Sequence, residues 1–368
     1  MGARSTAALR RVASCLLPLA LLGGCSDGEA PQVVRFLVVG DTGTGPDGFQ
    51  YDVARVMEQV CAQRGCDFAL VTGDNIYERG VTSVTDSQFE TAFRTPYANL
   101  NIPFFVTLGN HDNTGNTAAG DGSNNGRGDF QVDYTYSPGN IGRKWNMPDR
   151  YFGFTWPQTA TLPMADFVSI DASPITHYVN DTSRQWSGDT VATYIADQQA
   201  FIADRFRSSQ ARWKFAFAHH PYLSNGEHGN AGSFEQGTQP DVCTIPLLVS
   251  ATCRGAEYKA FVEAAVCNEA DVMFSGHDHE LYWLQPTGAC GKTEFIVSGA
   301  GSKTRVIQAP DRNPAYFQVG DIPGFFWVEL NGDTFTGAAY TETNGISTRV
   351  DTGGRPLPVF ERSFRRRE

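Results

Sequence analysis

The sequence predicts an α/β fold, and three observations carry that prediction. From residue 33 onward, short apolar runs that suit buried strands alternate with stretches of helical periodicity. After residue 293 the pattern turns to strands alone. No linker-like stretch divides residues 33–350, so one domain of strands and helices is the economical reading.

The elements follow in order. Residues 33–40 (VVRFLVVG) read as a buried strand. Residues 49–63 read as a helix, with Val53, Val56, Met57 and Val60 on one face. Residues 67–72 (DFALVT) and 103–108 (PFFVTL) are strands, with a short helix at 88–93 between them. Residues 113–129, rich in Gly, Asn and Asp, are expected to form a long surface loop. Strands follow at 151–156 and 166–170, a helix at 191–206 and a strand at 213–218. A helix at 258–269 leads into a strand at 271–275. The closing strands are expected at 294–298, 324–330, 334–340 and 346–350. The basic end, Arg365-Arg366-Arg367, reads as solvated.

Composition excludes several classes. Hydrophobic residues at 41% and aromatics at 12% do not belong to a disordered chain. A net charge of −11 argues against nucleic acid as a partner, which requires a basic footprint. No internal repeat is present, against solenoids and propellers. The 38 glycines exceed the usual ~7% and suit a loop-rich protein.

The N-terminus reads as a targeting segment. Arg4, Arg10 and Arg11 precede an apolar run at 12–22 that is too short to span a bilayer. Leu22-Gly23-Gly24-Cys25 resembles the lipobox of bacterial lipoproteins, in which the Cys is acylated. The expected layout is a lipoprotein-type signal peptide at 1–24, a tether at 25–32, one catalytic domain at 33–352 and a tail at 353–368. The protein is then exported and held in the bacterial cell envelope, in the periplasm or on the outer-membrane or extracellular face. Six further cysteines fit an oxidising compartment. Fifteen pairings are open to six cysteines; the sequence-local choices are Cys61/Cys66, Cys243/Cys253 and Cys267/Cys290.

The chemistry sits where strands end. Five turns carry metal-type ligands: Gly40-Asp41-Thr42-Gly43, Gly73-Asp74-Asn75-Ile76-Tyr77, Gly109-Asn110-His111-Asp112, Ala218-His219-His220-Pro221 and Gly276-His277-Asp278-His279. Five of the seven histidines lie in these turns. In four of them a Gly precedes the ligand, where a sharp turn is expected. A single Gly-Asp or His after a strand is ordinarily structural; five such turns in one chain are not. Asp, Asn, His and Tyr without Cys suit iron, zinc or manganese. Two such ions sharing a bridging carboxylate suit hydrolysis of phosphate esters.

The set GDTG, GDNIY, GNHD, AHHPY and GHDH resembles the signature of the calcineurin-like metallophosphoesterases. Tyr77, three residues after Asp74, narrows the likeness to the purple acid phosphatases, in particular their short, tartrate-resistant type. The segments GDNIYERGVTSVTDSQFETAF, YSPGNIGRKWNMPDRYF, KFAFAHHPYLSNGEHG and IVSGAGS carry it further, over roughly residues 33–348.

The resemblance implies a four-layer αββα sandwich of two mixed β-sheets flanked by helices. It implies two metal ions, Fe(III) held by Asp41, Asp74, Tyr77 and His279, and Fe(II), Zn or Mn held by Asp74, Asn110, His219 and His277. A metal-held hydroxide would attack phosphorus. His111 resembles the residue that binds phosphate and protonates the leaving group, and His228 in Gly226-Glu227-His228-Gly229 matches a second substrate-side His. Asp112 is expected to orient His111, and Asp278 to support a ligand His or the local structure; His220 is not carried over as a ligand. The implied protein is a monomeric acid phosphatase that acts on phosphate esters of small molecules or on phosphoproteins and meets a membrane only through its lipid anchor. Two departures stand out: Thr42 replaces a Trp of the mammalian type, and residues 176–189 lack the Cys of its regulatory loop. A phosphodiesterase using the same ions, and a non-catalytic binding lipoprotein that has kept the fold, are the alternatives.

Overall fold

The computed structural model describes residues 33–115, 120, 122, 124–176, 190–232 and 255–367. The signal and tether, Cys25, His177 and the Cys243/Cys253 pair lie outside these residues.

Side-chain alternation along the strands sorts the apolar residues into layers. In chain order the elements are β1 (Val33–Val39), α1 (Gln50–Arg64), β2 (Phe68–Val71), β3 (Phe104–Val106), α2 (Gly126–Tyr134), β4 (Trp145–Asn146), β5 (Phe152–Trp156) and β6 (Ala165–Ile170). Then come α3 (Ser173–Thr176), α4 (Val191–Ser208), β7 (Trp213–Ala218), α5 (Gly255–Ala265), β8 (Val272–Ser275), β9 (Leu281–Leu284) and β10 (Glu294–Ser298). The chain closes with β11 (Ala315–Val319), β12 (Gly324–Asn331), β13 (Thr334–Thr343), β14 (Ile346–Ser347) and β15 (Phe360–Arg365).

Among the described residues these strands form two mixed sheets. One runs β14-β13-β12-β1-β2-β3-β4, with β15 also on β13; the other runs β11-β9-β10-β8-β7-β6-β5. In the second sheet Phe167, Phe215 and Phe274 face the first sheet, while Val168, Ala216 and Met273 face the helices. Phe36 of β1 meets Phe167 and Phe274 edge-on, with centroids 5.5 and 5.9 Å apart. Phe36 is fully buried, and truncating such a side chain to Ala costs about 3–5 kcal/mol. On the far side, Ile202 and Phe206 of α4 and Tyr258, Phe261 and Val262 of α5 complete a separate core. Helix α1 packs on β12 and β13. The result is the expected four-layer αββα sandwich.

Four elements differ from expectation. Residues 113–129 are not simply surface: Asn113, Thr114 and Asn125 are buried and α2 begins at Gly126. The buried Arg150 accounts for this, donating to Asn113 Oδ1 at 2.9 Å, Asn125 O at 2.8 Å and Asp171 Oδ2 at 2.7 Å. Arg365 in the tail is exposed, as expected, but the tail is not a free end. Strand β15 pairs with β13 through Phe335↔Phe364 and Ala339↔Phe360, and Arg367 reaches Glu294 of the other sheet at 2.7 Å. The alternation Phe360, Arg362, Phe364 against Glu361, Ser363, Arg365 is a strand pattern, hidden in the sequence by its charge. Strands β9 and β11 were also not expected; LYWL follows a ligand turn without a break. Cys61–Cys66 and Cys267–Cys290 are bonded, as two of the expected pairs.

Candidate metal centre

The parallel strands β1, β2 and β3 deliver Asp41, Asp74 and Asn110 to one edge of the first sheet. The parallel strands β7 and β8 deliver His219, and then His277 and His279, to the matching edge of the second. Three of these residues turn the chain themselves: Asp41, Asp74 and His277 have φ of 57°, 52° and 71°. Such left-handed backbone is uncommon outside glycine and concentrates at functional sites. Of the preceding glycines only Gly73 is left-handed, at φ 88°. The others are glycine because of close approach. A Cβ on Gly109 would lie 2.1 Å from Asp74 Oδ1, and one on Gly276 would lie 2.4 Å from Asp41 Oδ2.

The side chains gather into two groups. In the first, Tyr77 Oη lies 3.0 Å from Asp41 Oδ1 and 3.3 Å from His279 Nε2, and His279 Nε2 lies 3.3 Å from Asp41 Oδ1. In the second, Asn110 Oδ1 lies 2.8 Å from His219 Nε2 and 3.2 Å from His277 Nδ1, and the two imidazole nitrogens lie 3.1 Å apart. Asp74 stands between the groups. Ligand atoms of Asp41, Asp74 and His219 all lie within 4.8 Å of one another. All seven residues are buried.

The donor set fits cations. His219 Nδ1–H donates to Thr72 O at 2.9 Å, leaving Nε2 with a lone pair. Asn110 Nδ2 donates to Gly120 O, so Asn110 Oδ1 is also an acceptor. Two acceptors 2.8 Å apart need a proton or a metal ion between them. The electrostatics of the site make the same demand for positive charge. Burial pulls the His219 pKa down, but the Asp74 carboxylate pushes it up to about 9. Burial opposes the ionised form of Asp74 too, yet His219, His111 and His277 hold it well below the usual carboxylate range. Burial, then Asp41 and Asp74, push Tyr77 well above an ordinary phenol, so without a cation it keeps its proton and donates to Asp41.

His111 and His228, the two histidines expected on the substrate side, flank these groups. His111 N donates to Asp74 Oδ1 at 2.9 Å, its Nδ1–H donates to Glu78 O at 2.9 Å, and its ring lies on Tyr77 with centroids 4.5 Å apart. His228 lies against the His277 ring at 4.1 Å, and its Nε2 accepts from Arg305 Nη1 at 3.0 Å.

Asp112 does not orient His111. Its buried carboxylate accepts from Asn75 N and Nδ2, Ile76 N, Gly109 N and Gln131 Nε2, tying the Asp74 turn to the Asn110 turn. Burial and the neighbouring Asp74 push it up to about 7, against the pull of these donors. Asp278 likewise accepts from His228 N at 3.1 Å and from Ser224 Oγ, and so holds the loop that carries His228. His220 packs on His277 at 4.4 Å, and its carbonyl accepts from Tyr258 Oη.

Sequence reasoning missed the partners that orient the histidines. Thr72 O and Glu78 O are main-chain groups and leave no trace in side-chain identity. Arg305 and Lys303 left a readable signal, two cations following the IVSGAGS segment. The Lys303 ammonium sits 3.8 Å over the Tyr77 ring and bonds Glu78 at 2.6 Å.

The chain is 27% identical over 353 residues to tartrate-resistant acid phosphatase type 5 of Oryctolagus cuniculus, covering 90% of this chain and 94% of that one. Its fold is similar to GAP50, the anchor in the inner membrane complex of Plasmodium, with TM-score 0.62 and 17% identity over 91% of this chain and 90% of that one. It is also similar to the purple acid phosphatase PPD1 from yellow lupin (Lupinus luteus) seeds, with TM-score 0.55 and 14% identity over 91% of this chain and 54% of that one. The family model for calcineurin-like phosphoesterases matches residues 34–281, which include every one of the five ligand turns. The protein is a phosphoric ester hydrolase, and it belongs to the calcineurin-like phosphoesterase family.

Proposed function

We propose that the protein is an acid phosphatase that hydrolyses phosphate monoesters at a dinuclear Fe(III)–M(II) centre, M being Fe, Zn or Mn. One observation carries the reading: a phenol oxygen, Tyr77 Oη, stands 3.0 Å from Asp41 Oδ1 in one of two donor groups hinged on Asp74. Asp41, Asp74, Tyr77 and His279 would hold the ferric ion, and Asp74, Asn110, His219 and His277 the second. When bound, the ions neutralise phosphate charge and acidify a water, Fe(III) more strongly than Zn²⁺, which brings the pKa near 7.

The chain's own groups do the rest. His111 is held through Nδ1 by Glu78 O, so Nε2 is the ring nitrogen left to give a proton to the departing alkoxide. Such proton transfer contributes typically 10²–10⁴-fold. His228, kept in place by Arg305 and by the Asp278 carboxylate, lines the other side of the phosphate. The acylated Cys25 would anchor the exported protein to the cell envelope.

The test is metal analysis with a visible spectrum, beside rates on an aryl phosphate monoester and the matching diester. Two metals per chain, a purple or pink band lost in Tyr77→Phe, an acid optimum and preference for the monoester are expected. A colourless, active, iron-free protein would refute the ferric site, and diester preference would make the enzyme a phosphodiesterase.

A further inference from the structure

Beyond the Asn110 turn, Gly120, Gly122 and Asn124 bond back to it and to the residues just after it. Gly120 O accepts from Asn110 Nδ2 at 2.6 Å. The same residue faces His111: a Cβ built on Gly120 would lie 2.2 Å from His111 Nε2 and 2.6 Å from Cε1. Gly120 is buried and left-handed, with φ 65°. Neighbouring bonds hold the fold-back. Thr114 Oγ1 donates to Asn110 O at 2.9 Å and accepts from Gly122 N at 3.0 Å, and Asn124 N donates to Asn113 O at 2.7 Å.

The bond from Asn110 decides which end of its carboxamide enters the centre. A carboxamide is an acceptor at one end and a donor at the other. With Nδ2 given to Gly120 O, Oδ1 must face His219 Nε2 and His277 Nδ1. The reversed amide would set two carbonyl oxygens 2.6 Å apart and point N–H groups at the cation.

We propose that Gly120 is a positioning residue of the metal centre, on the reading of Asn110 as a ligand and His111 as a substrate-side group. Its carbonyl aims Asn110 Oδ1 at the second metal, and its missing side chain is what lets that carbonyl and His111 Nε2 occupy neighbouring space. Any larger residue must push away either the carbonyl, which frees Asn110 to rotate, or the His111 ring.

The test uses metal-loaded protein equilibrated with a chelator, with metal content per chain as the readout. The variants are Gly120→Ala, His111→Ala and the double variant. Gly120→Ala should give up one ion about 10–100-fold more readily, the usual loss when a ligand's orienting partner goes. His111→Ala alone should keep both ions. The double variant should return to the retention of His111→Ala, because the atoms that the new Cβ meets are gone while the left-handed backbone at 120 is unchanged. Recovery therefore isolates the contact from backbone strain. Wild-type retention in Gly120→Ala, or a double variant that retains no more than Gly120→Ala, overturns the proposal. Should Gly120→Ala fail to show a melting transition, the double variant still decides: a folded, two-metal protein supports the proposal, and an unfolded one overturns it. A wild-type protein that binds no metal would instead defeat the reading on which the proposal rests.

Discussion

Replacing Asp112 by Asn tests what the carboxylate does with a nearly isosteric change. Its Oδ1 accepts from Ile76 N and Gln131 Nε2, and its Oδ2 from Gly109 N and Asn75 Nδ2, while Asn75 N reaches both at 3.0 and 3.1 Å. Whichever oxygen becomes an NH₂ group, two buried N–H donors lose their acceptor and face another donor. A buried donor left unsatisfied costs about 1–3 kcal/mol, so Asp112→Asn should cost about 2–6 kcal/mol. The assay is chemical denaturation read beside turnover of an alkyl and an aryl phosphate monoester. Stability should fall, and kcat should fall as the Asp74 turn loosens. The alkyl-to-aryl ratio should stay at the wild-type value, because the side chain does not touch His111. Wild-type stability with a ratio shifted toward that of His111→Ala would refute this and restore Asp112 as the partner of that histidine.

Three further outcomes are expected. Asp74→Ala removes the residue between both donor groups, so metal content should fall toward zero rather than to one ion per chain; near-normal stoichiometry would contradict the bridging role. Arg150→Ala strands the buried Asp171 carboxylate and unties Asn113 and Asn125, so urea unfolding should report a loss of about 3–5 kcal/mol, and a loss under 1 kcal/mol would show that the network is replaceable. Cys25→Ser should move the protein from the membrane fraction to a soluble or unprocessed form, and unchanged fractionation would exclude acylation at that residue.

How much of this was legible depended on what each residue's role leaves in the sequence. The five turns were readable because their polar residues stand out against the apolar strands before them: Asp41, Asp74, Asn110, His219, His277 and His279 each lie one to four residues beyond a strand end. The roles of Asp112 and Asp278 were not readable. Each lies beside a histidine in sequence but bonds residues of other turns, and only the hydrogen bonds to Asn75 and Ser224 reveal that. Main-chain partners such as Thr72 O, Glu78 O and Gly120 O are invisible to any reading by residue type. Strand β15 escaped because its outward face carries Glu361 and Arg365 and its inward Arg362 pairs with Glu294. Such charge on an outer strand also discourages edge-to-edge pairing between molecules.

The place of β1 has a consequence for when the protein can fold. Its residues Phe36–Val39 pair on one side with β2, and Val33–Val38 pair on the other with β12, some three hundred residues later, through Val33↔Asn331 and Val38↔Phe326. The first strand made therefore keeps one open side until almost the whole chain has been synthesised. Sheets that depend on contacts so distant in sequence close slowly, because the entropy of the intervening chain must be lost before any pairing rewards it. Asp41 hangs from this strand, so the buried Asp41, Asp74 and His219 group cannot assemble ahead of it. The two disulfides do not ease this closure, because Cys61–Cys66 and Cys267–Cys290 span only 5 and 23 residues and neither draws β1 toward β12.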